Sequence, residues 1–348
     1  TSRQIIDRCN ALFEDLNFSY ARDWKAADPA RRVIAFMPIY VPREIIHAAG
    51  MLPLGVLGGG DQLEVIQGDA YYQSYICRIP RSTLELILTN RLDFIDGMLF
   101  PSICDVIRNL SGMLQLIRPG VYSHYFDVPQ NYDEKIGGEY YINELHELRQ
   151  GLEKLGGREI SDDAIRNSIA LYNENRRLVR KFYHLRAEQP WNVPVTDAYL
   201  LMRAAMLIPV EEHNKMLIEY MNTAGKAEQP HRDNCKIVVT GMFCEQPPLS
   251  LIKSLELAGC YLVDDDFMMI NRWPTVDIPI EGDPIRNLSS SFLHYSLKTS
   301  ATFEPVEEDK GKYLVDSVHR CAAEGVIFAA PSFCDPALLE RPMLQDAL

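Results

Sequence analysis

Arg32-Val-Ile-Ala-Phe-Met37, a loop through Pro38 and Pro42, Arg43-Glu-Ile-Ile-His-Ala-Ala49, Gly50 and Leu52-Pro-Leu-Gly-Val-Leu57 form the stretch that decides the fold. The outer runs are short and apolar, as buried strands are. The middle run opens after a proline and closes at a glycine, the punctuation of a short helix. Strand, helix, strand in that order is the unit of a parallel sheet, because parallel neighbours need a crossover between them.

The same grammar returns some 200 residues later. Lys236-Ile-Val-Val-Thr240 reads as a strand, Gly241 to Pro247 as a loop, Pro248 to Ala258 as a helix ended by Gly259, and Cys260-Tyr-Leu-Val263 as the next strand. A sharper echo pairs Asp96-Gly-Met-Leu-Phe-Pro-Ser-Ile-Cys-Asp105 with Gly325-Val-Ile-Phe-Ala-Ala-Pro-Ser-Phe-Cys-Asp335. Each is a strand after glycine, then Pro-Ser-x-Cys-Asp, then a helix opening. Self-similarity of this kind points to two related units.

Outside the repeats the pattern is helical. Ile5 to Trp24 carries apolar residues at helical spacing, and so does the segment from about 139 to 226. In the latter, Ser161-Asp-Asp caps a run with Ile165, Ile169, Tyr172, Val179 and Phe182 on one face. The fold class is therefore α/β, with two Rossmann- or flavodoxin-like parallel-sheet domains related by an internal repeat and joined by a helical segment. Its divisions are an N-terminal helical segment (1–30), a first α/β domain (31–135), the helical segment (136–230) and a second α/β domain (231–348). The residues stop at Leu348 on a helical pattern with no closing strand and helix, so the second domain reads as incomplete at its C-terminus.

Composition narrows the function. The formal charge of −13 argues against a nucleic-acid surface, which needs clustered Lys and Arg. No run approaches the roughly 18 apolar residues of a membrane span, and the polar opening is unlike a signal peptide. A cytoplasmic protein is expected. Motifs for phosphate loops, dinucleotides, serine hydrolases and zinc proteases are absent from the sequence. Gly58-Gly-Gly60 reads as a flexible active-site or turn segment. Asp264-Asp-Asp266, after a strand, could attract a cation or a ribose hydroxyl, but such a run is more often a solvated loop with a helix cap.

The eight cysteines carry the most chemistry. None forms a CxxC pair, so any metal site must be assembled from distant positions. Ligands of open parallel sheets sit beyond the carboxyl ends of the strands, where Cys104 and Cys334 fall. A helix N-terminus favours a thiolate there. Cys77, in Tyr75-Ile-Cys-Arg-Ile-Pro-Arg-Ser82, precedes a helix expected over Ser82 to Thr89, with Arg78 and Arg81 adding positive charge beside its sulfur. Three thiolates without histidine partners suit a soft iron–sulfur site better than catalytic zinc. A free cysteine is most often a small buried hydrophobe, the reading given to Cys9, Cys235, Cys260 and Cys321. The duplicated motif moves Cys104 and Cys334 to the metal. Context alone leaves Cys77 open, and Cys244, in the loop of the second repeat, is a fourth candidate ranked behind the other three.

Taken together, Tyr40-Val-Pro-Arg-Glu-Ile-Ile-His-Ala-Ala-Gly-Met-Leu-Pro53, Cys77-Arg-Ile-Pro-Arg-Ser82, Phe100-Pro-Ser-Ile-Cys-Asp105, Gly259 to Asp266 and Pro331-Ser-Phe-Cys-Asp-Pro336 resemble the benzoyl-CoA reductase and 2-hydroxyacyl-CoA dehydratase family over nearly the whole chain. The resemblance implies a [4Fe-4S] cluster held by Cys77, Cys104 and Cys334, with one iron left open. It implies a homologous second subunit, ATP-hydrolysing iron–sulfur subunits and ferredoxin as upstream electron donor. The absence of a nucleotide motif agrees with ATP being handled elsewhere. In the reductase branch, which overall similarity favours, the activity implied is oxidoreduction of the aromatic ring of an acyl-CoA by single electrons at very low potential. The thioester carbonyl is the natural acceptor, forming a ketyl-type radical anion that is then protonated. The alternatives are an (R)-2-hydroxyacyl-CoA dehydratase subunit and a non-catalytic electron-relay or scaffold subunit. No catalytic side chain is identified.

Overall fold

A strand covered on both faces needs no polar alternation, and Val33–Phe36 (β1) is buried at every position. The computed structural model describes residues 1–37, 39–224, 229–241, 248–266, 272–299, 301–303 and 310–348. Helices α1 (Ser2–Glu14) and α2 (Ser19–Ala26) precede β1, and α3 (Arg43–Ala48), β2 (Leu52–Gly55), α4 (Arg78–Leu88), β3 (Gly97–Pro101), α5 (Asp105–Ile117) and β4 (Tyr122–Phe126) follow it. Next come α6 (Glu139–Gly156), α7 (Asp162–Glu188), α8 (Val195–Ala204) and α9 (Val210–Ala224). The remaining elements are β5 (Cys235–Thr240), α10 (Leu249–Leu257), β6 (Cys260–Asp265), α11 (Pro284–Tyr295), α12 (Lys312–Cys321), β7 (Gly325–Phe328) and α13 (Asp335–Ala347).

The strands form two parallel sheets, in the orders β2-β1-β3-β4 and β6-β5-β7. Each sheet places its first strand between its second and third, the arrangement of a Rossmann- or flavodoxin-like α/β fold. Side chains of β5 and β6 alternate between faces. Ile237, Val239 and Leu262 join the main core, while Val238, Tyr261 and Val263 pack with Leu314 and Cys321 of α12 and Leu344 of α13. Among the described residues no helix is long and apolar enough to cross a membrane.

Local chemistry moves several boundaries away from the sequence reading. The helical pattern over Ile5 to Trp24 is two helices. Asp15 accepts hydrogen bonds from the N–H groups of Asn17 and Ser19, and Phe18 turns into the left-handed region at φ 54°. Helix α4 starts at Arg78, four residues before the expected Ser82. Gly58-Gly-Gly60 is a packed turn: Gly58 has φ +70°, and a Cβ there would stand 2.3 Å from Ser82 Oγ on α4. Helix α11, capped by the Asp283 carboxylate, has no counterpart in the sequence reading and packs on α6.

The acidic run at the end of β6 is a correction. Asp264, Asp265 and Asp266 are buried, and Asp264 and Asp265 belong to the strand. Asp265 accepts from Arg186 at 2.5 Å and from Tyr183 at 3.2 Å, both on α7. Asp266 accepts from Thr240, Arg272 and Tyr313, each at 3.0 Å, and from the Gly241 N–H at 2.8 Å. Asp264 accepts from Ser317 at 2.5 Å and from Arg320. Buried carboxylates persist only when paired and hydrogen-bonded, and every one of these is. The pairs tie the second sheet to α7 and α12. Trp273 adds a second tie, its Nε1–H donating to the Val41 carbonyl at 3.0 Å beyond β1.

Arg186 and Asp265 have no exposed side-chain surface. Arg186→Met should strand a buried carboxylate and cost about 3–5 kcal/mol in denaturant unfolding, with much of it recovered when Asp265 is also made apolar. A loss below about 1 kcal/mol for the single change would mean that the pair does not hold the sheet to the helix.

Candidate functional site

In a parallel sheet every strand delivers the chain to the same edge, and the helix that follows begins there with free N–H groups. The structure places all three candidate cysteines at such positions. Cys77 is the N-cap of α4, Cys104 the N-cap of α5 after β3, and Cys334 the N-cap of α13 after β7. Phe333, just before Cys334, sits in the left-handed region at φ 63° with its ring exposed.

Electrostatic influence links these cysteines in pairs. The Cys334 thiol feels Cys104, and the Cys104 thiol feels Asp335 at the start of α13. The Tyr72 hydroxyl feels both Cys104 and Cys77. Among the described residues, no three His, Cys, Asp or Glu side chains converge closely enough to hold a metal ion.

Helix N–H groups favour a thiolate at two of these cysteines, as expected, but burial outweighs them. Burial pushes the Cys104 thiol up, and the N–H groups of Val106 and Ile107 only partly offset it. Burial likewise raises Cys334, against the N–H of Ala337. Arg78 and Arg81 have partners on the 60–69 loop. Arg78 donates to the carbonyls of Gly60 and Leu63, and Arg81 to Asp69 at 3.0 Å. Buried Glu85 accepts from the N–H groups of Ile66 and Gly68 at 3.0 and 2.7 Å. These bonds fasten the 60–69 loop to α4. The sequence reading missed Glu85 and Tyr72; a carboxylate inside an apolar helix and a tyrosine pair ahead of Cys77 were the available signals.

The remaining cysteines divide. Cys9 and Cys321 are buried as expected, and burial pushes the Cys9 thiol up to about 12. Cys260 is half-buried, and Cys235, expected in the core, is exposed because β5 enters the sheet from solvent. Cys244 lies outside the described residues. A cavity of about 930 Å³ runs along the second sheet, lined by Tyr183, Lys236, Val238, Val263, Tyr313 and Arg320 among others, and borders none of Cys77, Cys104 or Cys334.

Because the thiolate is the reacting form, alkylation of the metal-free chain reads this pattern. At pH 8, Cys235 should be modified well before Cys9 and Cys321, and modification of Cys104 and Cys334 should accelerate as pH rises through the range above 8. Peptide mass spectrometry after timed iodoacetamide treatment measures it; rapid labelling of Cys104 at pH 7 would contradict the burial effect.

The resemblance read from the motifs is borne out by comparison with known proteins. The chain is similar to one of the subunits of the benzoyl-CoA reductase of Thauera aromatica, 65% identical over 346 residues, which covers 99% of this chain and 90% of that protein. It is similar at 29% identity to the beta subunit of (R)-2-hydroxyglutaryl-CoA dehydratase of Acidaminococcus fermentans, covering 91% of this chain and 84% of that one. At 27% it resembles the beta subunit of (R)-phenyllactyl-CoA dehydratase of Clostridium sporogenes, covering 90% and 82%. With a family model matching residues 38–348, the chain belongs to the 2-hydroxyglutaryl-CoA dehydratase D-component family.

Proposed function

We propose that this chain is an iron–sulfur subunit of a benzoyl-CoA reductase, an oxidoreductase that dearomatises the ring of an acyl-CoA thioester in an ATP-dependent complex. The observation that carries the reading is the 65% identity, across 99% of the chain, with the benzoyl-CoA reductase relative, against 25–29% for the dehydratase relatives. The reading takes residues 31–135 and 231–348 as two α/β domains that contribute cysteines to one site.

Cys77, Cys104 and Cys334 are the residues that would hold a [4Fe-4S] cluster. The donor set is soft, each cysteine stands at the N-cap of a helix, and the covered Tyr72 hydroxyl, which both Cys77 and Cys104 influence, has no partner among the described residues. When bound, such a cluster supplies single electrons at low potential. The chain's own residues prepare the place. Cys334 is buried and Cys104 half-buried, and the N–H groups at the starts of α5 and α13 favour the sulfurs' negative charge. Binding metal would reverse the protonation that burial imposes, since a coordinating thiol is deprotonated. Exposed Tyr71, Tyr75, Phe333, Leu338 and Leu339 lie in sequence near Cys77 and Cys334. Uncovered apolar surface of this kind supports contact with a homologous second subunit. ATP-hydrolysing iron–sulfur subunits and ferredoxin complete the electron supply.

Serine at Cys77, Cys104 or Cys334 should each strip iron and sulfide from the anaerobically purified complex, while Cys244→Ser should keep them. Full iron content in Cys334→Ser would reject the ligand set. The complete complex with ATP should reduce benzoyl-CoA and leave 2-hydroxyacyl-CoA unchanged. The converse result would assign the chain to dehydration. Ring reduction sustained by a mild reductant without the ATPase subunits would overturn the ATP coupling. A cluster spectrum in this subunit that ignores added substrate would mark it as an electron-relay or scaffold subunit.

A further inference from the structure

Tyr72 is the group that the proposed site leaves unexplained. Its hydroxyl oxygen is fully covered by protein and has no hydrogen-bond partner among the described residues. Buried hydroxyls are ordinarily paired, because one removed from water without a replacement bond destabilises the fold. The ring packs against the main core, which limits its freedom to swing out to water. The segment leading to it is fastened by Glu85 holding the Ile66 and Gly68 N–H groups, and by Arg81 holding Asp69. Its position is therefore built in, and an acceptor is missing.

The thiols of Cys77 and Cys104 are the titratable neighbours that bear on this hydroxyl. As thiols they are weak partners; as thiolates they are strong acceptors. A phenol is protonated at neutral pH, so its O–H is available to donate.

We propose that Tyr72 is a positioning residue whose O–H donates a hydrogen bond to the sulfur edge formed by Cys77 and Cys104 when they hold the cluster, and so raises the cluster's reduction potential. This inference rests on the ligand set proposed above. A donor directed at cluster sulfur withdraws negative charge and favours the reduced state, one of the ways a protein sets such a potential. In the metal-free chain the same hydroxyl is a buried group without a partner, so it contributes nothing to stability there.

Tyr72→Phe separates the two states. In the anaerobically purified complex the variant should keep wild-type iron and sulfide, shift the midpoint in an EPR-monitored redox titration to more negative potential, and alter the EPR signal of the reduced cluster. In the metal-free chain it should leave the unfolding midpoint unchanged or raise it. An unchanged potential with full iron content would overturn the inference while leaving the ligand set standing. A lowered unfolding midpoint in the metal-free chain would also overturn it, by assigning the hydroxyl an ordinary structural role. Wild-type complex without iron at this subunit would defeat the ligand set itself, a separately measured failure.

Discussion

Parallel pairing is the constraint on which everything else in this chain depends. A crossover helix between each pair of neighbouring strands returns the chain to the far edge, so strand ends and following helix starts gather at one edge of each sheet. Cys104 and Cys334 sit at that junction in their respective sheets, and Cys77 caps the helix that leads into β3. Three separate local rules thus produce one chemical setting: a sulfur at the head of a helix, at the edge where ligands of such folds bind.

Whether such a sulfur is a thiolate depends on magnitudes. A helix terminus favours a nearby anion by about 0.3–1 kcal/mol at exposed sites. Removing an unpaired charge from water costs several kcal/mol. Burial therefore outweighs the helix N–H groups at Cys104 and Cys334 and raises both thiols. The helix starts lower the cost of a thiolate without making these sulfurs reactive. The same balance explains the acidic end of β6. Asp264, Asp265 and Asp266 are tolerated inside only because arginines from α7, α12 and the segment before α11 meet them.

Much of the fold was legible in the sequence. Proline before and glycine after Arg43–Ala49 marked α3, and the repeated Pro-Ser-x-Cys-Asp marked two helix starts that the structure places at Cys104 and Cys334. Ser161 caps α7 as its spacing suggested, its hydroxyl accepting from the Ala164 N–H. Boundaries failed where a side chain competed with the backbone pattern, as Asp15 does between α1 and α2. Of the site, the positions of the candidate sulfurs relative to their helices were legible, and their protonation was not.

The sequence by itself determined strand, helix and cap, because periodicity and punctuation act within a few residues. Only the tertiary structure decided which charges are buried, which cysteine is exposed and which hydroxyl lacks a partner. Asp265 meets Arg186 from 79 positions away, so nothing near either residue distinguishes a buried ion pair from a solvated run. Cys235 opens a strand as Cys260 does, yet it is exposed while Cys260 is half-buried. Tyr72 reads as one more aromatic beside a cysteine until its surroundings are known. Burial is a property of everything that packs around a group, and that neighbourhood is assembled from distant parts of the chain.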